Sequence, residues 1–155
     1  MSKNSTHPKV SVVIPHYGGK DIISECLSSL LNSIYPNFEI IVIDNNSPDD
    51  SVQYIKNNFS QVRLIKSSFN RGFAGGCNLG VNHAEGKYIL ILNNDTIHEP
   101  DWINRLVEVL ESNSLISSVQ PKIKNYNKRN YFDYAGASGG FLDKYCFPFS
   151  RGRIF

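Results

Sequence analysis

Asn93-Asn94-Asp95 follows the apolar run Tyr88 to Leu92. An acidic turn after a buried strand can present one carboxylate to a hard cation. Magnesium or manganese takes one or two protein carboxylates and completes its shell with water and substrate phosphates. Asp95 alone therefore suffices for a metal site, and it equally suits an ordinary strand-to-helix turn, because Asn and Asp favour turns by themselves. Asp44 ends another apolar run, in VIDNNSPDDS. A carboxylate there can accept a hydrogen bond from the imide N–H of a pyrimidine, or merely tidy the turn toward a helix cap at Ser47. The stretch Asn70 to Asn78, NRGFAGGCN, joins glycines that admit a ligand close to the backbone with Arg71, a fixed cation suited to phosphate. It reads as a loop feeding a helix whose N-terminus favours negative charge. It is neither a dinucleotide GxGxxG fingerprint nor a P-loop.

Other chemistries are poorly provided for. Among His7, His16, His83 and His98 no pair has the helical spacing of metal ligands, and no Gly-x-Ser-x-Gly elbow occurs. His16, just after the first apolar run, can line a pocket; His83 reads as a surface helix residue and His7 as part of a frayed tail. Cys26, Cys77 and Cys146 are odd in number and form no CxxC pair. They indicate neither a disulfide framework nor zinc, and they suit a reducing, cytoplasmic setting. A formal charge of +2 is too small to point to nucleic acid. Basic residues thicken from Lys122 through Lys124, Lys128, Arg129, Lys144 and Arg151 to Arg153. They read as a solvated face, or as contact with an anionic donor or a membrane-surface acceptor. No apolar run approaches the roughly 20 residues that a membrane span needs.

These polar groups need elements to hold them. With 41% hydrophobic residues in a chain of 155, one packed domain is expected. VSVVI (10–14), EIIVI (39–43), Val62 to Ile65, YILIL (88–92) and Ile116 to Val119 read as buried strands. Between them lie helical patterns. Ile22, Ile23, Cys26, Leu27, Leu30, Leu31 and Ile34 share one face, with Asp21 as cap. Ser47 and Pro48 mark a second helix start, with Val52, Ile55 and Phe59 on its buried side. Cys77 to Ala84 reads as a short helix, and Pro100 opens another with Trp102, Ile103, Leu106, Val109 and Leu110 inward. Strands alternating with helical crossovers predict an α/β fold, a mainly parallel sheet with helices on both faces. Ligands collect at the carboxyl ends of such strands, and the polar residues named above follow the strands.

Taken together, VSVVIPHYGG, VIDNNSPDDS, NRGFAGGCNLG and YILILNNDTIHEPDWINRL resemble the successive signatures of family-two inverting glycosyltransferases, nearest to a rhamnosyltransferase-like branch. The likeness covers roughly residues 9 to 120 in order. It implies a three-layer, Rossmann-like GT-A nucleotide-sugar-binding fold, preceded by a flexible tail over 1–8. It implies that Pro15 and Tyr17 line the base and ribose pocket, that Asp44 contacts a uracil or thymine ring, and that Arg71 and Gly72 lie near the nucleotide. Asn93, Asn94 and Asp95 stand where the family has its DxD-type motif, with Asp95 the ligand of a divalent cation, Mg or Mn. Asn in the first position removes one carboxylate from that motif. Cys77 stands where many relatives carry Asn and reads as a small packed residue.

The implied reaction moves a sugar from a UDP- or dTDP-sugar to a hydroxyl of a saccharide or lipid-linked saccharide, with inversion, in cell-surface polysaccharide synthesis. Peripheral membrane association fits such an acceptor. The region 121–155 resembles the start of the acceptor side, and the fold is expected to be incomplete at the C-terminus. Gly139-Gly140-Phe141-Leu142-Asp143 echoes the turn before the family's general base, but no Glu-Asp pair follows, so Asp143 is not equated with it. The rival reading is a donor-binding fragment without turnover. A nucleotidyltransferase would want a glycine-rich basic loop after the first strand, where Pro15-His16-Tyr17-Gly18-Gly19 stands instead. The aromatic tail from Tyr126 to Phe155 would pack against an acceptor half or drive self-association.

Overall fold

A computed structural model describes residues 7–132, 140–142, 144 and 148–150. Four parallel strands, β1 (Val10–His16), β2 (Phe38–Asp44), β3 (Val62–Lys66) and β4 (Tyr88–Ile91), form one sheet in the order β3-β2-β1-β4. Between and after them come α1 (Lys20–Leu31), α2 (Ser51–Asn58), α3 (Gly72–Val81) and α4 (Trp102–Ser112). A short antiparallel pair, β5 (Gly140–Leu142) and β6 (Pro148–Ser150), follows. The chain divides into one compact unit through Asn104 and a second from Arg105. Among the described residues no helix is long and apolar enough to cross a membrane.

The sheet's centre is β1 and β2, whose β-branched runs are buried on both faces, as parallel strands between helical layers must be. Val12, Val13, Ile14, Ile41, Val42 and Ile43 are fully enclosed. Each such aliphatic side chain contributes about 1.5–3 kcal/mol of burial. Right-handed crossovers place α1 and α2 on one face; because the chain reverses direction across the sheet after β3, α3 lies on the other. The glycines of α3 agree. A Cβ on Gly76 would meet Pro15, and one on Gly80 would meet Val13 and Ile43, so the odd residues of β1 face α3.

Several expectations are corrected. The stretch Asn70 to Asn78 is not a loop before a helix: α3 begins at Gly72, and its Gly76 and Gly80 serve close packing on β1 and β2. Asp21 lies inside α1, whose cap is Gly19 in a left-handed conformation (φ 86°) that a side chain disfavours. Ser47 and Pro48 belong to a turn, and α2 starts at Ser51 with Asp50 at its cap. In α1 the buried stripe narrows to Ile23, Cys26, Leu27 and Leu30, leaving Ile22 and Ile34 exposed. Ile116 to Val119 forms no strand: the Ile116 N–H turns back to the Asn113 carbonyl at 3.0 Å, and neighbouring Leu115 is 88% exposed. His7 and Pro8 are held rather than frayed: the His7 carbonyl accepts the Asn37 side-chain amide, and the Pro8 carbonyl accepts the Tyr35 hydroxyl. Residues 1–6, Gly139 and Asp143 lie outside the described residues, as do Tyr134, Tyr145, Phe147 and Phe155 of the aromatic tail. Tyr126, Tyr131 and Phe132 are exposed.

Candidate functional site

The strand order reverses between β1 and β4, and the crevice at their carboxyl ends is where an open α/β sheet binds ligands. β1 pairs with β4 up to Val13↔Ile91, and Leu92 N–H still donates to the Val13 carbonyl at 3.0 Å. Continuing that register sets His16 beside Asn94. The contact is made: Nδ2 of Asn94 lies 3.1 Å from Nδ1 of His16. Tyr17 stands just beyond, 55% exposed. One switch point thus gathers Tyr17, Asn93, Asn94 and Asp95, while Pro15, two residues before Tyr17, is buried toward α3.

The loop carrying Asp95 is pinned on several sides. Cys26 of α1 approaches the Asn93 carbonyl at 3.8 Å, and the Thr96 hydroxyl reaches the same carbonyl at 2.9 Å. His98 folds the loop back on α1: its Nδ1 lies 2.9 Å from Ser29 Oγ and its Nε2 3.1 Å from Thr96 Oγ1. The single proton of Thr96 serves either the Asn93 carbonyl or His98 at one time. The His98 ring stacks on Trp102 with centroids 4.5 Å apart, and burial pushes its pKa down to about 4. Burial likewise raises the Cys26 thiol to about 11. In contrast Asn93 and Asp95 are exposed. An exposed carboxylate on a fixed loop is suited to a ligand.

Among the described residues no group of three or more His, Cys, Asp or Glu is placed to hold a metal. An all-protein cage is therefore absent from them. The donor set at Asp95 fits instead a hard cation that arrives with phosphate oxygens and water.

Asp44 is buried, and its Oδ1 accepts the Ser47 backbone N–H at 2.8 Å, so it does tidy its turn. The β1–α1 loop is tied to that turn. Gly18 and Gly19 have φ of 67° and 86°, and their N–H groups donate to Ser47 Oγ (3.0 Å) and Asp49 Oδ2 (2.7 Å). The Ser51 hydroxyl, which Asp49 accepts, holds that carboxyl below its usual range. At the end of β3, Arg71 donates its Nε to Ser67 Oγ at 2.9 Å and lies over the Phe69 ring at 4.5 Å. Gly72 has φ 67°; its N–H goes to Asn70 Oδ1, and its carbonyl accepts Asn45 Nδ2 at 3.2 Å. Asn45 Oδ1 is buried with no partner among the described residues.

Sequence reasoning missed Ser29, Ser51, Thr96, His98 and Asn45 as supports. A faint signal exists for one: a polar residue at the inward end of β1 needs polar partners. The second unit contains a turn over 125–131, beside which Lys122, Lys124, Arg129, Asn130, Tyr131 and Phe132 line a cleft of about 350 Å³.

The model of the family described as glycosyl transferase family 2 matches residues 11–149. An uncharacterized glycosyltransferase of Haemophilus influenzae is 33% identical over 115 residues, covering 72% of this chain and 36% of that protein. The UDP-Glc:alpha-D-GlcNAc-diphosphoundecaprenol beta-1,3-glucosyltransferase WfgD of Escherichia coli is 30% identical over 118 residues, 76% of this chain and 45% of its own length. The chain thus spans less than half the length of these curated relatives. Among solved structures, the mannosyltransferase PcManGT of Pyrobaculum calidifontis, in complex with GDP-Man and Mn2+, superposes with a TM-score of 0.63. It shares 24% identity over 77% of this chain and 34% of that one, a likeness that shows the GT-A fold.

Proposed function

Starting from a chain that belongs to glycosyl transferase family 2, we propose that it forms the donor-binding part of an enzyme that moves a sugar from a nucleoside-diphosphate sugar to a hydroxyl acceptor. The observation that carries this reading is the exposed Asp95 carboxylate on a loop pinned at the β1–β4 switch point, beside Tyr17. The donor is a UDP- or dTDP-sugar, with Pro15, Tyr17 and Asp44 toward the base and ribose, and Arg71 and Gly72 near the nucleotide. Asn93 and Asn94 flank the carboxylate. Asp95 would hold Mg or Mn, and the bound cation would supply charge neutralisation to the departing diphosphate. The name of the similar Escherichia coli protein supports a UDP-sugar donor and a lipid-linked saccharide acceptor, and an acceptor of that kind fits cell-surface polysaccharide synthesis. The cation in the similar mannosyltransferase structure supports the metal. Transfer proceeds with inversion: the acceptor oxygen attacks in line as the diphosphate leaves, and a general base takes its proton.

Titration calorimetry with UDP, with and without Mn2+, tests the donor site. Binding that Mn2+ strengthens, with the strengthening lost in Asp95→Ala, is the expected result. An Asp95→Ala variant that responds to Mn2+ like the wild type contradicts the assignment.

A further inference from the structure

His16 is 1% exposed, and both of its ring nitrogens are engaged: Nε2 with Ser51 Oγ at 2.8 Å and Nδ1 with Asn94 Nδ2 at 3.1 Å. An amide NH2 can donate but not accept, so Nδ1 must be the acceptor and the ring proton sits on Nε2. Nε2–H then donates to Ser51, whose own hydroxyl proton goes to Asp49 Oδ1. The other Asp49 oxygen accepts Gly19 N–H. Turning the Asn94 amide around would require a proton on Nδ1. Nε2 would then face a Ser51 oxygen whose proton is already committed to Asp49, leaving two buried acceptors together, which is costly. One direction therefore satisfies every group: Asn94 to His16 to Ser51 to Asp49.

We propose that His16 is a positioning residue for the metal site. By holding Asn94 through Nδ1, it fixes the loop after β4 so that the next residue, Asp95, presents its carboxylate in one place. The chain of bonds begins on the β4 loop and ends on the β2–α2 turn, so it couples the two sides of the switch point. The inference rests on the reading of Asp95 as the metal-binding carboxylate. Partners that orient a ligand from behind commonly govern metal affinity by 10–100-fold.

The test is calorimetry of UDP at fixed pH with and without Mn2+, on the wild type, His16→Phe, Asn94→Ala, the double variant and His16→Asn. In His16→Phe the Mn2+-promoted part of UDP affinity is expected to fall about tenfold, while affinity without Mn2+ stays within about twofold. Asn94→Ala should also lower the Mn2+-promoted part, and the double variant should be no worse than the worse single variant. His16→Asn, whose amide oxygen can take the place of Nδ1, should recover most of the loss. A purely structural role would lower both affinities together and show no such recovery. If His16→Phe does not fold, His16→Asn and Ser51→Ala decide: affinity lost in Ser51→Ala and kept in His16→Asn supports the role, and the reverse overturns it. Losses that add in the double variant, or unchanged Mn2+ dependence in His16→Phe, overturn the inference and leave Asp95 standing. Wild-type UDP affinity indifferent to Mn2+ overturns the Asp95 reading and this inference with it.

Discussion

Gly80 of α3 lies so close over Val13 of β1 that a Cβ placed on it would overlap Val13 Cγ1. The same atom would stand 3.2 Å from Ile43 Cγ1, so both central strands close the space. Replacing a glycine in the last turn of a helix by alanine gains at most about 1 kcal/mol of helix propensity. Here overpacking against two strands that cannot retreat costs about 1–3 kcal/mol, and the clash wins. Gly80→Ala is expected to lower the urea midpoint without changing the slope. A variant as stable as the wild type would show that α3 stands further from the sheet.

His98 gives stability a defined pH dependence. Its ordinary pKa is 6.5, and burial holds it at about 4 in the folded protein. Above pH 6.5 both states are neutral at this site and its contribution is constant. As pH falls toward 4, the unfolded chain takes up a proton that the folded one excludes, so stability is lost through that window. The loss is on the order of 3 kcal/mol when complete. His16, also lowered by burial, adds to the same slope. Thermal midpoints measured from pH 7 to 4.5 should fall less steeply in His98→Gln than in the wild type.

The sheet and its strand-end residues were legible because a strand buried on both faces writes itself as a β-branched run, as in VSVVI and EIIVI. Asp95 could be singled out because it follows such a run. The start of α3 could not: Gly72, Gly75 and Gly76 carry the composition of a loop, and the close approach of Gly76 to Pro15 of β1 exists only once the layers are stacked. Ser47-Pro48 reads as a helix start on local preference, yet its serine hydroxyl is taken by Gly18, twenty-nine residues away in sequence. The supports of the site are tertiary in the same way. Ser29 and His98 meet across sixty-nine residues, and His16 and Asn94 across seventy-eight, separations at which no local pattern speaks.

Arg71 should not tolerate lysine in donor binding. Its Nε is spent on Ser67 and its plane lies over Phe69, which aims the guanidinium while leaving the terminal nitrogens to a ligand. Lysine keeps the charge but loses the planar fork and the Nε bond. If Arg71 meets the donor diphosphate, Arg71→Lys should weaken UDP binding about tenfold, the loss of one charge-assisted hydrogen bond of roughly 1.5 kcal/mol. Thermal stability should stay near the wild-type value, since the side chain is exposed. Unaltered UDP affinity would remove Arg71 from the site.

Cys26 offers a reporter of the Asp95 loop itself. Its thiol is fully buried between α1 and that loop, Sγ lies 3.8 Å from the Asn93 carbonyl, and its pKa is raised to about 11. At pH 8 roughly one thiol in a thousand is then ionised, and thiolate is the form that alkylates. Iodoacetamide should therefore label Cys26 only when α1 and the loop separate. A ligand that binds the closed form alone slows such opening by mass action, about a hundredfold at a concentration of 100 Kd. UDP with Mn2+ should thus protect Cys26 far more than it protects Cys77, which α3 buries away from the loop. Equal protection of the two would mean that labelling follows global unfolding, and no protection of either would mean that the ligand does not engage the folded chain.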